Sequence, residues 1–277
     1  MNLNLMTIPP SERLQRARGT VRLGFEMRRG RSRLSDLYMD GSAKALLPRT
    51  ASDVPEAVVI NTSGGLTGGD RLDVNVTVGA GAQASVASQT AERAYRATGG
   101  VARVGTRLRL GPGARLDWLP QETILFDGSA LERTIDADLA EGASLLIVEA
   151  VVLGRIAMGE TLSTARFSDT WRLRRGGVLL HAEAARLGPE TEAFRSVAGL
   201  GHAAALATVL YAGEDAADRL DAFRALAPVP TVRHAASAWG GRLVIRYLAP
   251  DAQPLRHALK MHLSFLRGRP MPRVWTM

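Results

Sequence analysis

Glu122 and Glu149 stand in successive inward layers of a repeated strand pattern, Glu149 level with Ser88 and Glu122 level with Thr90. Carboxylate and hydroxyl oxygens gathered in this way hold a divalent cation loosely enough to release it, whereas cysteine or histidine cages would retain it. Two acids can also act as general acid and base on a glycosidic bond, which would need an open cleft and a sugar-stacking aromatic. Other chemistries fail on residue type. The 277 residues contain no cysteine, which removes disulfides, thiolate ligands and cysteine nucleophiles together. The five histidines, His181, His202, His234, His257 and His262, form no H-E-x-x-H pattern, and His257 and His262 lie off a common helical face. No G-x-S-x-G elbow is present, and Ser63 has no histidine near it in sequence. The run Asn61-Thr62-Ser63-Gly64-Gly65-Leu66-Thr67-Gly68-Gly69-Asp70 looks like a phosphate cradle, but no Lys-Ser/Thr pair follows its glycines and it leads into a strand. A tight loop with positive φ at several glycines is the preferred reading.

Strands must position these residues. Three segments share an alternating strand, a Gly-centred turn and an Ala-led second strand. Leu72, Val74, Val76 and Val78 lead through Gly79-Ala80-Gly81-Ala82 to Ala84 and Val86. Val104, Thr106, Leu108 and Leu110 lead through Gly111-Pro112-Gly113-Ala114 to Leu116 and Trp118. Ile135, Ala137 and Leu139 lead through Ala140-Glu141-Gly142-Ala143 to Leu145 and Ile147, and Trp171 to Leu180 around Gly176-Gly177 is a weaker fourth copy. Period-two alternation buries one face of each strand, and a unit of about 30 residues that cannot bury its face alone must stack on its neighbours. The expected fold is mostly β. A solenoid-like (β-helical) stack of β-coils covers about residues 20–190 and a helix-containing part about residues 191–277, all in a single domain of residues 1–277. Helices are expected over 214–227 and 254–266, with a strand over 239–248, and the helices should cap or flank the stack.

Superposing the three turns sets the register. Val86, Trp118 and Ile147 share one inward layer, Ser88, Pro120 and Glu149 the next, and Thr90, Glu122 and Val151 the one after. The inner face therefore turns polar at one level in every coil. Pro120 lacks the N–H a ladder needs and can shift register there, which bears on Glu122 above all. A carboxylate buried alone would cost several kcal/mol or neutralise, so these acids should meet arginine, water or a cation, with Arg155 and Arg96 the expected neutralisers.

The formal charge of +8 invites a nucleic-acid reading. Its distribution argues otherwise: residues 1–50 carry net +6, residues 228–277 net +7, and the middle net −5. No basic cluster is interleaved with stacking aromatics, and aromatics are only 5% of the chain, which also weakens the carbohydrate reading. No apolar run reaches the roughly 18 residues of a membrane helix, and the start lacks a basic leader, so a cytoplasmic protein without membrane or nucleic-acid partners is expected.

Four motifs in order carry a resemblance: the glycine run 61–70; Gln89-Thr90-Ala91-Glu92-Arg93-Ala94-Tyr95-Arg96; Trp118-Leu119-Pro120-Gln121-Glu122-Thr123-Ile124-Leu125-Phe126; and Leu153-Gly154-Arg155-Ile156-Ala157-Met158-Gly159-Glu160. The chain closely resembles the UreD family of urease accessory proteins, called UreH in some organisms. The resemblance runs more loosely from about Gly19 to about Leu187 and includes the tail Met271-Pro272-Arg273-Val274-Trp275; residues 1–15 and most of 190–260 are not matched. It implies a β-rich, helix-flanked, non-enzymatic maturation factor that helps insert nickel into apo-urease, in complex with UreF and the GTPase UreG. It implies no tightly bound cofactor, only transient Ni²⁺, and allows a dimeric accessory complex. On that footing Ser88, Thr90, Glu122, Glu149, Glu160 and Asp70 would line a hydrated nickel route. The same polar groups also fit a buried network that fixes strand register. Tyr95, Arg96, Arg155 and the glycines 64, 65, 68 and 69 are then partner-contact or structural residues, with Arg155 and Glu160 expected to pair. The alternatives from other classes are a carboxylate-based β-solenoid enzyme acting on carbohydrate and a basic nucleic-acid binder.

Overall fold

The computed structural model describes residues 15–276, apart from 51, 156, 157, 161, 189–193 and 197. Ile156 and Ala157 of the fourth motif, and most of the unmatched first fifteen residues, thus lie outside the described residues. Among the described residues, seventeen strands follow one another as β1 (Arg18–Arg28), β2 (Arg31–Gly41), β3 (Ala43–Leu46), β4 (Glu56–Asn61), β5 (Arg71–Val78), β6 (Gln83–Ser88), β7 (Glu92–Ala94), β8 (Ala102–Leu110) and β9 (Arg115–Leu119). They continue as β10 (Thr123–Leu125), β11 (Ser129–Leu139), β12 (Ser144–Leu153), β13 (Ala165–Arg175), β14 (Val178–Leu187), β15 (Ala205–Ala212), β16 (Arg233–Trp239) and β17 (Arg242–Ala249). Helices α1 (Asp218–Arg224) and α2 (Ala252–Arg267) complete the fold.

Two sheets face each other. Sheet A runs β14-β13-β11-β8-β5-β1-β2 and sheet B runs β16-β17-β15-β12-β9-β6-β4-β3, with the short β7 and β10 added beside β12. Each coil contributes one strand to each sheet: the chain crosses from β5 to β6, from β8 to β9 and from β11 to β12 at the three glycine turns. Gly81, Gly113 and Gly142 adopt positive φ of 66°, 64° and 66°. The turns stack through Gly81 N–H to the Pro112 carbonyl and Gly113 N–H to that of Glu141. This is the solenoid-like, mostly β stack the repeats imply. Val86 pairs with Trp118 and Trp118 with Ile147, as turn superposition requires.

The alternating apolar residues fill the space between the sheets in two clusters, one towards the glycine turns and one at the opposite end around Leu66, Leu125, Leu131 and Phe167. A third cluster lies on the outer face of sheet B, where α2 buries Leu255, Leu259, Leu263 and Leu266. Burying each of these leucines stabilises by roughly 1.5–3 kcal/mol. Asp251 caps the start of α2 and Gly268, at φ 65°, ends it. Of the two expected placements the helices take the flanking one: they cover a sheet face and do not close the ends of the stack, because sheet B is apolar on both sides. The structure corrects two further expectations. The helix expected over 214–227 is only the two turns of α1 after a 3-10 turn. The fourth copy is an antiparallel hairpin: Gly176 and Gly177 return β14 along β13 in the same sheet instead of crossing to the other. The C-terminal part also adds β15, β16 and β17 to sheet B, the last two forming the hairpin around Gly240-Gly241. Among the described residues, no helix is long and apolar enough to cross a membrane.

Candidate functional site

The inter-sheet core is interrupted at one level by a cavity of about 220 Å³. That volume holds several water molecules. The polar level predicted from register is therefore real, but its membership differs. On sheet B, Ser88 and Glu149 line it, with Gln121 and Thr123 of the central coil and Trp118 above. On sheet A the inward row Leu72, Val104, Arg133, Asp169 crosses β5, β8, β11 and β13 as direct neighbours, with Arg133 lining the cavity.

Arg133, Glu149 and Asp169 form the buried heart of the site, each 5–6% exposed. One guanidinium nitrogen forms an ion pair with Glu149 at 2.6 Å and the other donates to Asp169 at 2.6 Å. Each carboxylate also accepts an indole N–H: Trp118 donates to Glu149 at 2.9 Å and Trp171 to Asp169 at 3.0 Å. Arg133 further donates to the Thr123 hydroxyl at 3.2 Å. With all three ionised, the triad carries one negative charge in excess. Burial pushes the Glu149 carboxyl up, to about 7, the charge of Asp169 adds to that, and Arg133 and the indole oppose it. Burial works against the Arg133 charge as well, yet Asp169 and Glu149 together hold its pKa above the usual arginine value. A buried ionic cluster with unequal charges is costly unless a proton or a cation makes up the difference.

A second acid lines the same cavity. Glu92 accepts both oxygens' hydrogen bonds from the Asn61 amide at 3.2 Å, and burial raises its carboxyl pKa against that hydrogen bond. The rim is formed by the exposed Gly64, Gln89 and Thr90.

Several expected members stand elsewhere. Thr123, not Glu122, pairs with Val151 and with Glu92, because the chain leaves the ladder between Leu119 and Thr123 around Pro120. Glu122 turns outward and meets Arg256 of α2 at 3.5 Å. It therefore does not face Glu149, and the two acids do not flank a common cleft. Thr90 lies at the exposed rim and bonds the Ala91 carbonyl, while the Ser88 hydroxyl donates to the Thr90 carbonyl and accepts from the Gln121 N–H at 2.8 Å. Asp70 is buried outside the cavity lining, accepting from Ala17 N–H and Thr67 N–H, each at 2.8 Å. Glu160 pairs with Arg155 at 3.1 Å and also lies outside the lining. Neither Arg96 nor Arg155 neutralises the inner acids: Arg96 pairs with Asp127 at 2.7 Å.

The four motifs converge below the cavity. Tyr95 donates to the Gly64 carbonyl at 3.1 Å and meets Phe126 edge-on at 4.9 Å, while the Arg155 guanidinium stacks over Phe126 at 4.5 Å. Gly64, Gly65 and Gly69 take positive φ. Gly68 does not, but a Cβ there would collide with the Gly99 and Gly100 carbonyls. The glycine run is thus a packed loop against Tyr95 and the Gly99-Gly100 turn.

Sequence reasoning missed Arg133, Asp169 and Glu92. The signal for the first two was present: the inward face read as Ile135, Ala137, Leu139 continues back two positions to Arg133, and Trp171, Leu173 continues back to Asp169.

A family model described as UreD urease accessory protein matches residues 17–276. A Rhizobium etli protein named urease accessory protein UreD is 48% identical over 272 residues, 98% of this chain and 99% of that protein. A protein of the same name from Chelativorans sp. is 48% identical over 264 residues, 95% of each chain. One from Brucella melitensis, named urease accessory protein UreD 1, is 47% identical over 269 residues, again 95% of each chain.

Proposed function

Because the chain belongs to the UreD family of urease accessory proteins, we propose that it is a non-enzymatic scaffold and nickel conduit that helps load apo-urease, in the cytoplasm and in complex with UreF and UreG. The observation that carries this reading is the inter-sheet cavity lined by Glu149 and Arg133, whose guanidinium Glu149 shares with Asp169 behind it. An excess negative charge inside a hydrated cavity lowers the energy of an entering cation and raises that of an anion. Its donors are carboxylate and hydroxyl oxygens, which bind Ni²⁺ weakly enough for onward transfer. Ni²⁺ is cargo in this reading. Ser88 and Thr90 mark the route from the rim inward, Glu149 and Glu92 supply its charge, and Thr123 takes the place first given to Glu122. Asp70 holds the glycine loop to the start of β1, and Glu160 anchors Arg155 over Phe126.

The test is Glu149→Gln in cells that co-express urease subunits, UreF and UreG. The variant should remain folded and be recovered with its partners, while urease activation falls severalfold. Full activation by this variant, or equal activation in cells lacking the chain altogether, would overturn the proposal.

A further inference from the structure

The guanidinium of Arg133 occupies the point at which three oxygen donors converge. Glu149 Oε2 and Asp169 Oδ2 lie 2.6 Å from its two terminal nitrogens, and Thr123 Oγ1 lies 3.2 Å from one of them. The two carboxylates are held from behind by the Trp118 and Trp171 indoles, so their orientation does not depend on the arginine alone. Three oxygens from three strands, fixed by second partners and aimed at one position, are what a hard or borderline divalent cation needs as a partial inner sphere, with water completing it. An arginine side chain fills that position as a tethered monovalent substitute.

We propose that Arg133 is a gate: its guanidinium is the resident counter-ion of a latent divalent-cation site made by Glu149, Asp169 and Thr123, and a passing ion displaces it. This inference rests on the conduit reading and adds the mechanism of release. The displaced guanidinium has a second carboxylate within the same cavity, Glu92, whose strand pairs with that of Thr123 in register. When the ion leaves, the guanidinium returns between the two acids and prevents recapture. The site is therefore never both vacant of charge and open, and a metal that enters is expelled by an intramolecular competitor at very high effective concentration.

The gate predicts a gain of function in binding on removal of the arginine. Full-length Arg133→Met should retain close to one equivalent of Ni²⁺ through desalting, with an apparent Kd at least about tenfold tighter than that of the unaltered chain in equilibrium dialysis, and should activate urease poorly. Arg133→Lys, which keeps the charge, should bind Ni²⁺ as weakly as the unaltered chain. If the methionine variant fails to fold because two carboxylates face each other unpaired, Arg133→Met with Asp169→Asn restores the original net charge and should still bind Ni²⁺ more tightly than the unaltered chain. A folded Arg133→Met chain, alone or with Asp169→Asn, that binds no more Ni²⁺ than the unaltered chain overturns the gate. That failure is separable from failure of the conduit, which Glu149→Gln reads through urease activation.

Discussion

His262 offers a measurement in which the structure sets sign and size together. It lies on the buried face of α2 with no exposed surface, its Nδ1 paired with the Tyr247 hydroxyl at 3.0 Å and its Nε2 without a partner among the described residues. Phe223 meets it edge-on at 4.8 Å, and the His234 ring lies 4.9 Å away as the titratable neighbour on β16. Burial, with a smaller contribution from His234, lowers its pKa from 6.5 to about 4. The folded chain therefore keeps this imidazole neutral where the unfolded chain already binds a proton. Stability from this residue is complete above pH 6.5 and is lost as pH falls towards 4, at about 1.4 kcal/mol per pH unit. The loss across the window is ~3 kcal/mol, or about 6–12 °C in Tm for a chain of this size. His262→Asn keeps an acceptor for Tyr247 and removes the titration. Thermal unfolding of both proteins from neutral pH to about pH 4.5 should show the unaltered chain losing stability more steeply, by close to one proton, although the variant is less stable at neutral pH. The carboxylates are common to both proteins and cancel in the difference. Parallel loss of Tm in the two proteins would refute the assignment of a buried, neutral imidazole.

Two stability predictions accompany those for Glu149 and Arg133. Asp117 is 1% exposed and bonds Arg267 at 2.9 Å and Arg269 at 2.5 Å; Asp117→Asn leaves these guanidiniums unopposed and should destabilise by about 3–5 kcal/mol, whereas Glu132→Ala, which breaks only the exposed pair with Arg103, should change it by under about 1 kcal/mol in denaturant titration. Gly68→Ala meets the Gly99 and Gly100 carbonyls and should cost about 1–3 kcal/mol, while Gly99→Ala, which meets nothing, should stay within ~0.5 kcal/mol; equal effects would show that the loop contact is not rigid.

The fold was legible where a local rule repeats. The turns at Gly81, Gly113 and Gly142 could be superposed because each strand alternates and each turn needs one left-handed residue, and the superposition carries Val86, Trp118 and Ile147 into one layer. The same rule led from Ile147 to Glu149 without error. It failed at Pro120, where the chain leaves the ladder and the next inward residue becomes Thr123 in place of Glu122. It also failed at Gly176-Gly177, since a glycine pair turns a hairpin as readily as it turns a coil.

The sequence by itself determined the stack, its polar level and the inward position of Glu149, because side-chain alternation is a property of each strand alone. Only the tertiary structure decided what Glu149 faces. Arg133 and Asp169 belong to the opposite sheet, and which rows of two sheets meet is set by the lengths of the turns and the thickness of the packed core between them. The balance of charge in the cavity is a sum over both sheets, and no strand read singly contains it.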